Sequence, residues 1–418
     1  MKNKNEKINN ENIDVQNAEL ENDFQLSAKS TSPIKKRIVF PFVEAGLGHI
    51  MPMTAVRDAF TEKYGDKCEI INTYFFQETD NEGLKGIEKK LIDEVHKHNK
   101  SKFHGFYQFF LMGIAGTQNS IRFLYKVWWK EGFKPALERV KEFDADLIFH
   151  THFATLYYAC EAKKLGLTNA KMAMYCPDPV VGKQWDRRAE FVALSSPVGK
   201  KRGEKNFGFK KRKTKFEVVP FLIRKQVADY KESREFYREQ LEIPTDKFTI
   251  LLADGAYGVG KLRDAVLELL KSPIPLTIIP VCGRNEKLYE EFEAIIPPAH
   301  ITFKPFGFTD KMLLLSASCD LFIGKAGASN LAEPCYFGAP AIVTFTATPI
   351  EKWICKHYTH SVGSAVKITN VKKAVAKALE WAENRELMQP YIENSKKERR
   401  HDGPDKLADL LWERLNEV

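Results

Sequence analysis

Short apolar runs separated by helix-length stretches recur along this chain, stop, and then begin again. That double rhythm limits the fold more than any other feature. Arg37-Ile-Val-Phe-Pro-Phe-Val43, Cys68–Ile71, Asp146–Phe149, Ala170–Met174 and Glu190–Leu194 read as strands, with helical stretches such as Met51 to Tyr64 between them. The pattern breaks at Val218-Val-Pro-Phe-Leu222 and passes through a charged, helix-prone stretch to Leu241. It resumes with Phe248–Ala253, Leu276–Val281, Ile301–Phe303, Leu321–Ile323 and Ala341–Val343. Strands alternating with helices indicate βαβ units on a parallel sheet. At 418 residues the chain is also longer than one core ordinarily holds. The expectation is an α/β protein with two Rossmann-like domains and a ligand cleft between them. The boundaries are a disordered tail over 1–35, a first domain over 36–222, a linker over 223–245, a second domain over 246–385 and C-terminal helices over 386–418.

Composition narrows the class. With 44% hydrophobic and 28% charged residues the chain sits in the globular range. No apolar run approaches the ~20 residues a membrane-spanning helix needs, and the start MKNKNEKINN lacks the apolar core of a signal peptide. Seven scattered cysteines show neither a CxxC pair nor zinc spacing, so reduced thiols in a cytoplasmic protein are expected. Net charge is +9, and between Lys200 and Lys215 nine basic residues face one acid, Glu204. Such a cluster suits an anionic lipid surface or nucleic acid, or is simply a solvated loop. Residues 101–135 interleave aromatics with Lys and Arg, a pattern that fits a membrane interface as well as it fits a buried helix face.

Three glycine loops each follow a strand and open a helix. In Gly46-Leu-Gly48-His49, the histidine stands at the C-terminal end of the first strand, placed for a general base or for a helix cap. Asp254-Gly255-Ala-Tyr257-Gly258-Val-Gly260-Lys261 has neither the Walker nor the dinucleotide spacing, and suits a diphosphate held by loop N–H groups or a purely structural turn. Gly324-Lys325-Ala-Gly327-Ala328-Ser329 leads into a helix carrying Glu333, whose carboxylate can accept hydrogen bonds from ribose hydroxyls or simply offset the helix dipole. Asp144-Ala-Asp146 looks like a DxD metal site but precedes its strand, at the edge away from ligands, so no metal is expected. His150 and His152 end that strand on the ligand side, lining an acceptor cleft or merely packing.

In this order, these segments resemble the processive diacylglycerol glucosyltransferases and monogalactosyldiacylglycerol synthases. These are GT-B glycosyltransferases related to the peptidoglycan GlcNAc transferases. The likeness runs from about residue 37 to 385. It implies that His49 is the catalytic base, with Gly46, Gly48 and His152 on the acceptor side. The first domain would then face the acceptor and the membrane through Asn72–Glu78 and the aromatic-basic stretch. Pro177-Asp178-Pro with Trp185 is similar to the family's Thr-Asp-Phe segment and makes Asp178 a second catalytic candidate. The donor would lie on Gly255, Tyr257, Gly258, Arg284, Phe308, Lys325, Gly327, Ala328, Ser329, Glu333 and Glu351, with uracil near Gly307-Phe308 and ribose on Glu333. The resemblance thus implies an inverting hexosyltransferase that uses a UDP-sugar as donor substrate, with no cofactor and no metal. Its partners would be a lipid acceptor such as diacylglycerol and an anionic membrane surface, with no nucleic acid. It would be peripheral on the cytoplasmic face of the plasma membrane.

Two departures stand out. Where the family carries Pro-Gly-Gln-Glu-x-x-Asn, this chain has Pro349-Ile350-Glu351-Lys352 and Cys355. The Gly-Gly pair of the third loop is Gly327-Ala328. A carboxylate in place of a neutral amide changes which hydroxyls are recognised and repels phosphate. A nucleotide-sugar 2-epimerase and a non-catalytic binding subunit of the same architecture therefore stand as alternatives.

Overall fold

The computed structural model describes residues 35–44, 47–100, 118–182, 184–206, 214–255, 258 and 260–417. Gly46, Tyr257, most of the aromatic-basic stretch (101–117), residues 207–213 of the basic cluster and nearly all of the expected tail lie outside them.

Two six-stranded sheets organise the chain, and every strand pair within them is parallel. The first is built from β1 (Arg37–Phe42), β2 (Glu69–Tyr74), β3 (Leu147–His150), β4 (Lys171–Cys176), β5 (Phe191–Leu194) and β6 (Lys215–Val218), in the order β2-β1-β3-β4-β5-β6. The second is built from β7 (Phe248–Ala253), β8 (Leu276–Val281), β9 (Ile301–Phe303), β10 (Leu321–Lys325), β11 (Ala341–Phe345) and β12 (Ala365–Lys367), in the order β12-β11-β10-β7-β8-β9. Helices α1 (Leu47–Tyr64), α2 (Glu82–Lys100), α3 (Gln118–Trp128), α4 (Lys130–Glu142), α5 (Phe153–Lys164) and α6 (Pro197–Asn206) accompany the first sheet. After it come α7 (Arg234–Gln240), α8 (Leu262–Leu269), α9 (Glu286–Glu293), α10 (Met312–Ser318), α11 (Ala328–Tyr336), α12 (Pro349–Lys356), α13 (Val371–Glu383), α14 (Gln389–Lys397) and α15 (Gly403–Asn416).

The period-two pleat sends successive apolar side chains to opposite faces, so each sheet is buried on both. Val39 joins Ile148 and Met172 in one core, while Ile38 and Phe40 join Phe149 and Tyr175 in the other. Ile250 and Leu252 are likewise separated from Leu251 and Ala253 in the second sheet. The chain does not end where its second sheet does. Leu407, Leu411 and Leu415 of α15 pack into the first sheet's core with Val56 and Phe60 of α1. Trp412 stacks on Tyr64 with ring centroids 4.6 Å apart, and Lys225 bridges Glu62 (2.8 Å) and Asp405 (2.9 Å). The last helix thus ties the second half back onto the first.

No helix among the described residues is long and apolar enough to cross a membrane, and all seven cysteines are free and buried.

Beneath the second sheet, Asp320 accepts from Arg238 at 2.6 Å, from Arg234 at 3.1 Å and from the Thr249 amide at 2.8 Å. Arg238 is only 1% exposed. Removing one partner of a buried pair strands the other charge without solvent, at ~3–5 kcal/mol. Asp320→Ala is therefore expected to lower the urea-unfolding free energy by about that amount, while Glu393→Ala on the exposed face of α14 leaves it nearly unchanged.

Candidate active site

In an open parallel sheet the ligand crevice opens where the strand order reverses, because neighbouring crossovers there leave in opposite directions. In the first sheet that point lies between β1 and β3, and in the second between β7 and β10. His49 and His152 follow the strands at the first of these points, and Gly255, Lys325 and Gly327 end or follow those at the second, while Asp178 follows β4, Arg284 and Phe308 follow β8 and β9, and Glu351 follows β11.

His49 lies in the first turn of α1, just past the end of β1. Its Nδ1 is 2.6 Å from the Thr151 carbonyl oxygen, and Thr151 returns a hydrogen bond from its Oγ1 to the His49 carbonyl at 2.8 Å. A carbonyl only accepts, so Nδ1 carries the proton and the neutral ring has its lone pair on Nε2. His152 packs edge-on against His49, with centroids 4.6 Å apart. Its Nδ1 accepts the Ala154 N–H as the N-cap of α5, which requires that nitrogen to be unprotonated. Burial lowers the pKa of His49 below its ordinary 6.5, partly offset by the bond to Thr151. Burial and the neighbouring His49 push His152 well below 6.5. Asp178 follows β4 on the same edge, and burial raises its carboxyl to about 7. The first sheet's crevice therefore presents imidazoles held neutral, and the carboxyl raised by burial follows the next strand along the same edge. His150 packs inward: it is buried, meets Thr155 Oγ1 at 3.0 Å, and desolvation drops it to about 3.

The second crevice is charged. Gly255 and Gly258 both have left-handed backbones, with φ of +81° and +60°. A Cβ on Gly258 would stand 2.7 Å from the Cys282 carbonyl oxygen, so this turn requires glycine. Gly48, by contrast, has open space where a Cβ would sit. The N-terminus of α8, expected to face a diphosphate, is occupied by the chain itself: the Leu262 N–H donates to Asp254 Oδ2 at 2.7 Å. At α11 the N-cap is Gly327, and no side chain caps the helix. The first turn of α11, at Ala328 and Ser329, is thus left without a side-chain cap, an end that suits an anion. Lys325, the last residue of β10, lies beside it. Its ammonium pairs with Glu351 Oε1 at 2.9 Å, with each side chain 12% exposed. Arg284 lies 5.1 Å over the ring of Phe308, which is 59% exposed.

Glu333 is 6% exposed, and its Oε1 accepts two bonds from Arg224, at 2.7 and 3.1 Å. Arg224 stands in the expected linker, where nothing local marks it. Thr151 escapes a motif reading too, and Asp254, which opens the second glycine loop in the sequence, acts there as a cap of α8. Asp146 is used at the opposite edge, accepting the Arg37 N–H at 2.8 Å, with Asp144 beside the same arginine.

The two crevices face one another. Arg202, on the helix after β5, lies 4.0 Å over the ring of Trp353, on the helix after β11. Both helices leave the C-terminal edges of their sheets, so those edges meet across a shared cleft.

Residues 249–348 match the glycosyltransferase family 28 C-terminal domain. The second half of the chain thus carries a glycosyltransferase family 28 C-terminal domain. It is 23% identical over 303 residues to a processive diacylglycerol beta-glucosyltransferase of Bacillus licheniformis, covering 68% of this chain and 75% of that protein. Over 347 residues it is 24% identical to monogalactosyldiacylglycerol synthase 2 of Arabidopsis thaliana, with 76% and 67% covered. Among solved structures it is similar to Acinetobacter baumannii MurG, with a TM-score of 0.55 at 17% identity, covering 90% of this chain and 99% of that one. This likeness establishes the GT-B architecture of two Rossmann-like domains. The matched family domain contains the second crevice from Asp254 through Glu333, while His49 lies on the opposing half.

NMR titration checks the imidazole assignment directly. His49 is expected to show the Nδ1–H tautomer and a midpoint below 6.5. A midpoint above that value would contradict the half-buried, neutral ring.

Proposed function

We propose that this glycosyltransferase moves a hexose from a UDP-sugar to the hydroxyl of a lipid such as diacylglycerol, at an anionic membrane surface on the cytoplasmic side. The observation that carries the reading is His49, whose proton is committed to Thr151, on the crevice facing a family 28 donor domain. Its Nε2 lone pair takes the proton from the acceptor hydroxyl as that oxygen attacks the anomeric carbon. The bond from the anomeric carbon to the phosphate oxygen breaks, and UDP leaves against the N–H groups of α11 and the ammonium of Lys325. One displacement inverts the anomeric centre. Asp178 serves beside the base, and Glu333, steered by Arg224, serves the ribose. The related diacylglycerol glucosyltransferase and monogalactosyldiacylglycerol synthase support the lipid acceptor, and a neighbouring structure from Oryza sativa holds UDP.

The membrane part rests on α3. Its inner face buries Ile121 and Tyr125, while Phe123 (67% exposed) and Val127 (53%) project one turn apart on the outer face beside Trp128 and Lys126. Apolar side chains flanked by lysines suit an anionic interface. Arg122 fixes this helix to the body through two bonds to buried Asp186, at 2.8 and 3.0 Å.

The purified chain, given UDP-glucose or UDP-galactose and diacylglycerol in phosphatidylglycerol vesicles, is expected to yield glycolipid detectable by mass spectrometry. UDP release without lipid product would favour the epimerase, and donor binding without turnover would favour the binding subunit. His49→Ala is expected to lower kcat by ~10²–10⁴ with UDP affinity retained. The acidic limb of the wild-type pH–rate profile should lie below pH 6.5, since protonation of the depressed imidazole removes the base. Replacing Phe123 and Val127 together by Asp should weaken vesicle sedimentation ~10-fold or more, with turnover on a short-chain soluble acceptor unchanged.

A further inference from the structure

The donor crevice pairs its positioned ammonium with a carboxylate, and that pairing has a consequence for which nucleotide the site prefers. Lys325 reaches across the mouth of the β7 loop, its Cε 3.7 Å from where a Cβ on Gly255 would stand. It therefore lies between the left-handed turn at Gly255 and the uncapped N-terminus of α11. Glu351 holds it there. One oxygen of that carboxylate accepts the ammonium at 2.9 Å, and the other accepts the Ala347 N–H. The backbone beneath is pinned by Thr348, whose hydroxyl caps α12 by accepting the Glu351 N–H at 3.2 Å. Both oxygens of Glu351 are thus engaged by the protein, which sets them to act on charge rather than to read sugar hydroxyls. Asp254, 2% exposed on the neighbouring loop, is a second carboxyl close by; burial pushes it above the ordinary carboxylate range, an effect that the Leu262 and Lys261 N–H groups and the charge of Lys325 offset only in part.

We propose that Glu351 is a specificity-determining residue that offsets Lys325, so that the crevice favours the sugar diphosphate ester over the nucleoside diphosphate left after transfer. The proposal rests on the UDP-sugar reading given above. A sugar nucleotide carries two negative charges on its diphosphate. The free nucleoside diphosphate gains about one more at pH 8, because its terminal phosphate has lost the ester and titrates near pH 6. A fixed carboxylate on the far side of the ammonium repels that extra charge while costing the ester less. The product is then held less tightly than the donor, and release is eased without any movement of the fold. Lys325 keeps two ammonium N–H groups for phosphate oxygens, so the crevice remains an anion site.

Calorimetric titration of UDP and UDP-glucose at about pH 8 tests this. In Glu351→Gln, which keeps size and a hydrogen-bond acceptor but loses the charge, UDP affinity should rise roughly 3- to 30-fold more than UDP-glucose affinity. Product inhibition by UDP should strengthen in parallel. Glu351→Asp, which keeps the charge, should hold the wild-type ratio of the two affinities. Lys325→Met should weaken both ligands. An unchanged ratio in Glu351→Gln, with its melting temperature intact, would overturn the proposal, as would a selective loss of UDP-glucose affinity, the mark of a sugar-reading residue. Failure of the wild-type protein to bind either nucleotide would instead overturn the donor reading itself, and this proposal with it.

Discussion

A parallel sheet returns each strand to the same edge only through a crossover that runs back over one face, so all of its strand-to-helix turns gather along a single edge. The whole candidate site depends on that constraint acting twice. Because β1 and β3 are neighbours whose crossovers diverge, His49 and Thr151 meet although 102 positions separate them. Because β7 and β10 are neighbours in the same sense, Gly255 and Lys325 come within contact of each other. The contact of Arg202 with Trp353 and the return of α15 onto α1 then set the two edges against each other.

Much of this was legible in the residues. Central strands are buried on both faces and so declare themselves as apolar runs, which is why β1, β3, β7, β8 and β10 were readable. The strands at two sheet edges were not. β6 runs Lys-Phe-Glu-Val with only Phe216 fully buried, and β12 is three residues long with only Ala365 buried. An edge strand needs one apolar face at most, so its pattern merges with loop. The closing helix α15 was visible as a helix but not as a part of the first half, since its apolar stripe does not say which core receives it.

The site divides the same way. The glycine turns at 255 and 327 were readable because left-handed backbone and uncapped helix ends are local demands on local residues. The pairs that set electrostatics were not readable, because each joins distant segments: Arg224 with Glu333 are 109 positions apart, and Lys325 with Glu351 belong to different strand–helix units. The family likeness pointed to position 351 as altered. Only the fold showed that its new charge is matched by a lysine, and that Asp254 had already taken the helix end assigned to phosphate.

The two edges also differ in how they handle charge, and the difference suits the transfer proposed above. On the first, burial keeps His49 and His152 neutral and raises Asp178 to about 7, so groups there are ready to accept a proton. On the second, the helix end of α11, Lys325 and Arg284 supply positive charge, tempered by Glu351 and Asp254. A transfer reaction needs this asymmetry, because a proton is collected at one end of the reacting axis while negative charge develops at the other. Placing both tasks on one sheet would set the base beside the cation that receives the leaving group, and that cation would lower the base's proton affinity further. Separating them across a cleft lets desolvation tune the base and ion pairing tune the anion site, each without disturbing the other.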